Sequence, residues 1–188
     1  MTLLILGLLL FFSIHLVRVV APDFRQSMMD RMGVWGWKAA YSVPAIVGFV
    51  LLIIGYDQVR WTSAVLWQSP PWTRMAATLV MAPALVLFIA AYLPGKIRDG
   101  LRHPMLIAVV LWAAVHLLAN GRVADVILFG SFLVWSLVVL AAAWRRPWQP
   151  KAGRNGPVFD LVAVLVGVAA WMALIRGGHA LLFGMPVG

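Results

Sequence analysis

The sequence predicts an all-α fold, a polytopic transmembrane helical bundle of about six helices with both termini outside. Of its 188 residues, 63% are apolar and 11% are charged, whereas soluble domains are typically about 45–50% apolar. The apolar residues are grouped in runs of about 20 residues, the length that crosses a hydrocarbon core of about 30 Å. Most charged residues fall between these runs. We therefore expect residues 1–188 to form a single transmembrane domain with the lipid bilayer as its main partner.

Six apolar stretches account for the predicted helices. They cover residues 2–21, 38–56, 73–93, 104–119, 123–144 and 158–176, and the last could extend to Phe183. The first stretch has no cation before Arg18, whereas a cleavable signal peptide begins with a positive region, so we interpret it as a retained helix. Pro44 and Pro83 lie inside the second and third stretches, where proline is expected to kink the backbone. The longest non-apolar stretch, 145–157, is predicted to be a cytoplasmic loop.

The predicted orientation follows from the cations. Counted by alternate connections, eleven of the 15 Lys and Arg residues lie on one side, and the positive-inside rule places that side in the cytoplasm. The eleven are Arg18, Arg25, Arg31, Lys38, Lys96, Arg98, Arg102, Arg145, Arg146, Lys151 and Arg154, against Arg60, Arg74, Arg122 and Arg176 outside. Tryptophans at both predicted interfaces fit an aromatic belt: Trp35, Trp37, Trp144 and Trp148 inside, and Trp61, Trp67 and Trp72 outside.

Charge and cysteine content exclude several classes of protein. A net charge of +9 would suit nucleic acid in a soluble protein, but here membrane topology explains the cations, so no nucleic-acid partner is expected. The chain has no cysteine, which excludes disulfides, iron–sulfur clusters, thiolate metal ligands and a covalently attached c-type haem.

The acidic residues make ion-coupled transport an unfavourable interpretation. All six are aspartates that fall in predicted loops or at helix ends. Proton-coupled and sodium-coupled carriers usually place an acid near the midplane to bind the coupling ion. The ionisable groups within or near the apolar stretches are instead histidines. A neutral imidazole loses less than a charge on entering lipid, and a metal can satisfy it.

The four histidines differ in their prospects as ligands. His15 shares a helix face with Arg18, which could hold an anionic group. The same sequence also fits a histidine that hydrogen-bonds a neighbouring helix and an arginine that extends to the membrane interface. His103 precedes Pro104 and suits the start of a helix. His116 lies among small residues that allow close helix approach, and we favour it as a ligand. His179 is a reserve candidate. Two histidines from different helices are the usual ligands of a b-type haem within a membrane.

Several segments carry a resemblance to a known family. They are residues 11–54 with His15, Arg18, Arg25, Arg31, Gly33, Tyr41 and Ser42, then residues 102–105, residues 112–121, and Phe129, Gly130, Ser131 and Phe132. In these segments the chain resembles the bacterial NnrU family over nearly its whole length. That family is associated with nitrite and nitric oxide reduction and is similar to plant 15-cis-zeta-carotene isomerase, a membrane enzyme that uses haem b.

The resemblance implies haem b as the cofactor and the bacterial inner (cytoplasmic) membrane as the location. It implies His15 and His116 as axial iron ligands, His103 as a supporting residue and Arg18 as a partner of a haem propionate. One geometric difficulty bears on this pairing. At 1.5 Å per residue, both histidines lie about 20 Å from opposite ends of antiparallel helices, so their depths in a core of about 30 Å would differ by about 10 Å. Helix tilt or a different start of the short fourth helix would close this gap; otherwise His116 with His179 becomes the better pair.

Three functions remain open from the sequence. The first is a haem b-binding accessory or redox protein in nitrite and nitric oxide respiration, with nitric oxide as a candidate ligand. The second is a haem-dependent cis–trans isomerase of a carotenoid, for which a lipophilic polyene would be the substrate. The third is a cofactor-free structural membrane protein. Whether the protein is an enzyme is therefore left open.

Overall fold

The computed structural model of the chain describes residues 1–148 and 156–187. These residues form helices joined by short connections, with no strand among them, so the predicted all-α fold is confirmed. The helices are α1 (Thr2–Val20), α2 (Pro22–Val59), α3 (Trp72–Ala90), α4 (Lys96–Leu101), α5 (Pro104–Ala119), α6 (Val123–Trp144), α7 (Pro157–Ala173) and, after a π-helical turn at Leu174–Gly178, α8 (His179–Phe183).

Helix length and composition identify a membrane protein. α1, α2, α3, α6 and the continuous run Pro157–Phe183 are each long and apolar enough to cross a bilayer. α5 is also apolar but has 16 residues, or about 24 Å at 1.5 Å per residue. Each of the six predicted stretches thus coincides with a helix, and the polytopic helical bundle is confirmed. The placement of both termini outside stays a prediction.

α2 is interrupted at Gly33. This residue has φ 73° and ψ 167°, a backbone conformation that glycine adopts because it has no Cβ. The break separates a helical segment at 22–32 from a second at 34–59, and the predicted span 38–56 lies in the second. Pro44 and Pro83 lie inside α2 and α3 without a comparable departure from helical angles. Bending at either proline stays a prediction.

The chain divides into two compact units. The first comprises Met1–Leu66 and Arg122–Ser131, and the second comprises the described residues of Trp67–Gly121 and Phe132–Gly188. The interpretation of residues 1–188 as one domain stays a prediction. Part of the predicted 145–157 loop, at 149–155 with Lys151 and Arg154, lies outside the described residues.

In the first unit, α1 packs against 34–59 through glycines. Gly7 lies against the backbone of Leu52, and Gly55 lies against that of Leu4. A Cβ on Gly48 would lie 2.7 Å from the backbone nitrogen of Phe11. Residues later in α1 contact residues earlier in α2, so the two helices are antiparallel. Small residues permit such close approach between membrane helices, where packing replaces the hydrophobic effect as the driving force.

In the second unit, α3 packs against both α5 and α7. The indole of Trp171 donates a hydrogen bond to the carbonyl of Thr78 at 2.8 Å. Nearer the other end of these helices, a Cβ on Gly167 would lie 2.6 Å from the Cα of Val86, so α3 and α7 are also antiparallel. At the start of α7, the carboxylate of Asp160 accepts two backbone N–H bonds from the first turn of α4. This capping holds the short helix against α7.

Candidate functional site

His15 lies in α1 and is half-buried. Its Nδ1 is 2.6 Å from the carbonyl oxygen of Phe11, one helical turn earlier. A carbonyl oxygen can only accept, so Nδ1 carries the hydrogen, and in the neutral ring the lone pair lies on Nε2. The imidazole also stacks on the Phe11 ring with centroids 4.1 Å apart. Phe11 therefore fixes both the tautomer and the orientation of this imidazole.

His116 in α5 repeats this arrangement. Its Nδ1 is 2.7 Å from the carbonyl oxygen of Trp112, again four residues earlier, so the lone pair of the neutral ring lies on Nε2. The two rings have centroids 5.3 Å apart, and the Trp112 ring also packs edge-on against Phe132 at 5.3 Å. Asn120, just after the helix, donates to the His116 carbonyl at 2.8 Å. This hydrogen bond from Asn120 stabilises the last turn of α5, which carries His116.

The shared arrangement is one that metal-binding histidines use. A ligating histidine usually donates its second ring N–H to a carbonyl or carboxylate, which fixes the tautomer and raises the basicity of the ligating nitrogen. His15 belongs to the first unit and His116 to the second. Within residues 1–148 and 156–187, no group of three or more His, Cys, Asp or Glu side chains is placed to hold a metal ion. Haem ligation by His15 and His116 stays a prediction.

His179 begins α8, directly after the π-helical turn. Its Nδ1 is 2.7 Å from the carbonyl oxygen of Met185, and its ring lies 4.9 Å from that of Phe183. The lone pair of the neutral ring is thus again on Nε2. The turn includes Gly177 at φ 119°, and π-helical turns within helices occur frequently at functional sites. The role of His179 as a reserve ligand stays a prediction, and the residue belongs to the same unit as His116.

His103 and Arg18 occupy helix ends. His103 stands directly before α5, where its carbonyl accepts the backbone N–H groups of Leu106 and Ile107. Its ring packs edge-on against Trp148 at 5.5 Å. The predicted role at the helix start is confirmed for its backbone, and its supporting role at a cofactor stays a prediction. Arg18 is exposed in the last turn of α1, where a cation is favourable to the helix dipole.

The first unit contains a buried polar network that was not predicted from the sequence. Asp125, in the first turn of α6, is 5% exposed and accepts the hydroxyl of Tyr56 at 2.7 Å and the backbone N–H of Arg122 at 3.0 Å. The Arg122 guanidinium donates to the carbonyls of Trp61 and Ser63. An acid in the first turn is a recognisable capping signal, but the distant tyrosine is not recognisable from the sequence.

A buried cation in the second unit was also missed. Arg98 in α4 is 9% exposed, whereas Lys96 and Arg102 nearby are exposed. Nothing in the local sequence distinguishes this arginine from its neighbours. Its burial follows from the packing of α4 against α3, α5 and α7.

The apolar helices with histidines fixed inside them define the chain as a polytopic α-helical membrane protein with candidate imidazole ligands. A family model described as NnrU protein matches residues 3–187, and the chain belongs to the NnrU family. No curated protein and no solved structure matches the chain significantly.

Proposed function

We propose that the chain binds haem b through Nε2 of His15 and His116 and acts as an accessory or redox protein in nitrite and nitric oxide respiration, in the bacterial cytoplasmic membrane. The observation that carries this proposal is the arrangement common to both histidines. Each donates Nδ1–H to the carbonyl four residues earlier, at 2.6 Å and 2.7 Å, and each ring lies against an aromatic side chain. Membership of the NnrU family supports the respiratory context.

Local residues prepare each imidazole for ligation. A hydrogen bond from Nδ1 makes Nε2 a better donor to iron, and ring contacts with Phe11 and Trp112 restrict rotation about the side chain. A fixed ring loses less conformational entropy on binding. These hydrogen bonds and ring contacts are made by residues of the chain alone and do not require a bound cofactor.

One cation near His15 is a proposed partner for a carboxylate of the cofactor. Arg18 follows His15 by three residues, on the same helix face, and we propose that it pairs with a propionate. His103 is proposed as a supporting residue at the cofactor. Haem b with two axial imidazoles supplies a one-electron couple, whereas a single axial imidazole leaves iron able to bind nitric oxide. Haem held by both histidines would therefore supply electron transfer, and haem held by one would supply a site for nitric oxide.

Absorption spectroscopy of the detergent-purified protein from haem-replete cells tests the proposal. The wild type is expected to show a Soret band and, after dithionite reduction, sharp b-type bands. His15→Ala and His116→Ala are each expected to lose the haem or to convert its spectrum to that of a single-imidazole centre. His179→Ala is the matched control, because it removes an imidazole with the same type of Nδ1 bond, and it should leave the spectrum unchanged.

Three results would contradict the proposal. Colourless wild-type protein would remove the cofactor and favour the cofactor-free structural alternative. Loss of haem in His179→Ala together with an unchanged His15→Ala would assign the pair to His116 and His179. A normal spectrum in His116→Ala would exclude that residue in either pairing. The carotenoid isomerase alternative stays a prediction, and conversion of a cis polyene by the haem-loaded wild type would test it.

A further inference from the structure

The segment 22–32 does not continue along the axis of the transmembrane helix that follows it. The rings of Phe24 and Trp37 are in contact, with centroids 6.2 Å apart and planes 79° apart. Thirteen residues of uninterrupted helix would separate these positions by about 20 Å along the axis. The non-helical conformation of Gly33 (φ 73°, ψ 167°) bends the chain and makes the contact possible. The segment is thus a separate short helix at the end of the span that begins at 34.

The segment is amphipathic. At 100° per residue, Phe24, Met28 and Met32 fall within one arc of about 80°. Phe24 is 54% exposed and Met32 is 44% exposed, so the protein itself leaves much of this apolar row uncovered. The opposite arc carries Asp23, Gln26, Ser27 and Asp30. On that polar face, the Gln26 side chain donates to Asp30 at 2.8 Å, one helical turn along.

Cations border the apolar row on both sides. Arg31 lies about 20° before Phe24 on the helix circumference, and Arg25 lies about 20° beyond Met32. Just past the break, Lys38 places its ammonium group 4.4 Å above the ring of Trp35, which is 80% exposed. An apolar row bordered by cations, with a nearby exposed tryptophan, is the pattern of helices that lie in a membrane interface.

We propose that 22–32 is an interfacial helix that lies along the surface of an anionic bilayer. Its apolar row enters the boundary between headgroups and acyl chains, and Arg25 and Arg31 bind headgroup phosphates. Charge complementarity selects this occupant, because cations border the apolar row on both sides and anionic phosphates border the hydrocarbon of a bilayer. Lys38 and Trp35 extend the same surface past Gly33. This inference does not depend on haem binding.

Depth measurements test the orientation of the segment. The chain has no cysteine, so Met32→Cys and Ser27→Cys each provide a single site for a spin label in full-length protein reconstituted in phosphatidylglycerol-containing nanodiscs. The label at 32 should be more accessible to oxygen than to a water-soluble nickel chelate, and the label at 27 should show the reverse. Equal aqueous accessibility at both sites would overturn the proposal. Low accessibility to both reagents at 32 would also overturn it, because another protein surface, such as a second copy of the chain, would then cover the row.

Lipid binding tests the role of the arginines. The double variant Arg25→Gln/Arg31→Gln removes both charges, and Arg74→Gln/Arg176→Gln is the matched control, because these cations are exposed and predicted to lie at the opposite interface. Native mass spectrometry should show phosphatidylglycerol affinity reduced about fivefold for each cation removed from the segment, or about 25-fold in all. The control pair should keep the wild-type affinity at this site, and the depth of the label at 32 should be unchanged by it. Equal losses in the two double variants would refute specific headgroup binding by Arg25 and Arg31.

Discussion

Replacement of Gly48 by alanine tests the close approach of α1 and α2. The added methyl group would lie 2.7 Å from the backbone nitrogen of Phe11 and 3.1 Å from both its Cα and the carbonyl oxygen of Gly7. Ordinary contacts between such atoms are about 3.5–4.0 Å. All three neighbours are backbone atoms, so no side-chain rotation relieves the overlap, and the helices must separate by several tenths of an ångström or more.

The expected cost follows from this geometry. Overpacking a closely packed site costs about 1–3 kcal/mol, and the better helix propensity of alanine returns up to about 1 kcal/mol. Gly130→Ala is the matched control, since Gly130 lies within α6 and its added methyl group would meet nothing within 4 Å. Because both variants gain the same propensity, Gly48→Ala should be less stable than Gly130→Ala by about 1–3 kcal/mol.

Thermal unfolding in a fixed detergent measures this difference. For a chain of this size, about 1 kcal/mol corresponds to about 2–4 °C in Tm, so Gly48→Ala should unfold about 2–12 °C below Gly130→Ala. The added methyl group of Gly48→Ala would also displace Phe11, whose carbonyl accepts the hydrogen bond from His15. Equal Tm values for the two variants would refute the close contact between α1 and α2.

Three further predictions concern polar contacts and backbone conformation. Tyr56→Phe removes the hydroxyl bonded to the buried Asp125 carboxylate and should destabilise the protein by about 1.5–3 kcal/mol, measured by thermal unfolding. Tyr92→Phe is the control, because the Tyr92 side chain is 65% exposed. Equal destabilisation by the two variants would contradict the hydrogen bond between Tyr56 and Asp125. Asp160→Ala removes the acceptor of two N–H groups in the first turn of α4 and should speed hydrogen exchange in that helix by about fivefold or more, as loss of a cap worth about 1 kcal/mol requires. Unchanged exchange would exclude the capping role. Gly33→Ala has space for its methyl group, but the positive φ of Gly33 is unfavourable for alanine. We therefore expect about 1–3 kcal/mol of destabilisation in thermal unfolding. Unchanged stability would exclude the helix break at Gly33.

The sequence by itself determined the membrane class and the positions of the six apolar helices, but not the helical segments at 22–32 and 96–101. The predicted stretches at 104–119 and 123–144 coincide with α5 and α6, and the others agree within a few residues. Such agreement is expected because backbone groups in lipid must be satisfied within their own segment, so apolar run length alone specifies a spanning helix. The tautomers of His15 and His116 were not predicted, although each acceptor lies one turn away on the same helix.

Only the tertiary structure decided which distant groups meet. Tyr56 and Asp125 are 69 positions apart, and Thr78 and Trp171 are 93 apart, so no local pattern links them. The break at Gly33 was also missed, because glycine is common in membrane helices and its φ depends on what the flanking segments contact. Burial of Arg98 has the same origin in packing. Periodicity and hydropathy are properties of adjacent residues, whereas partners, burial and the break at Gly33 depend on how separate helices pack together.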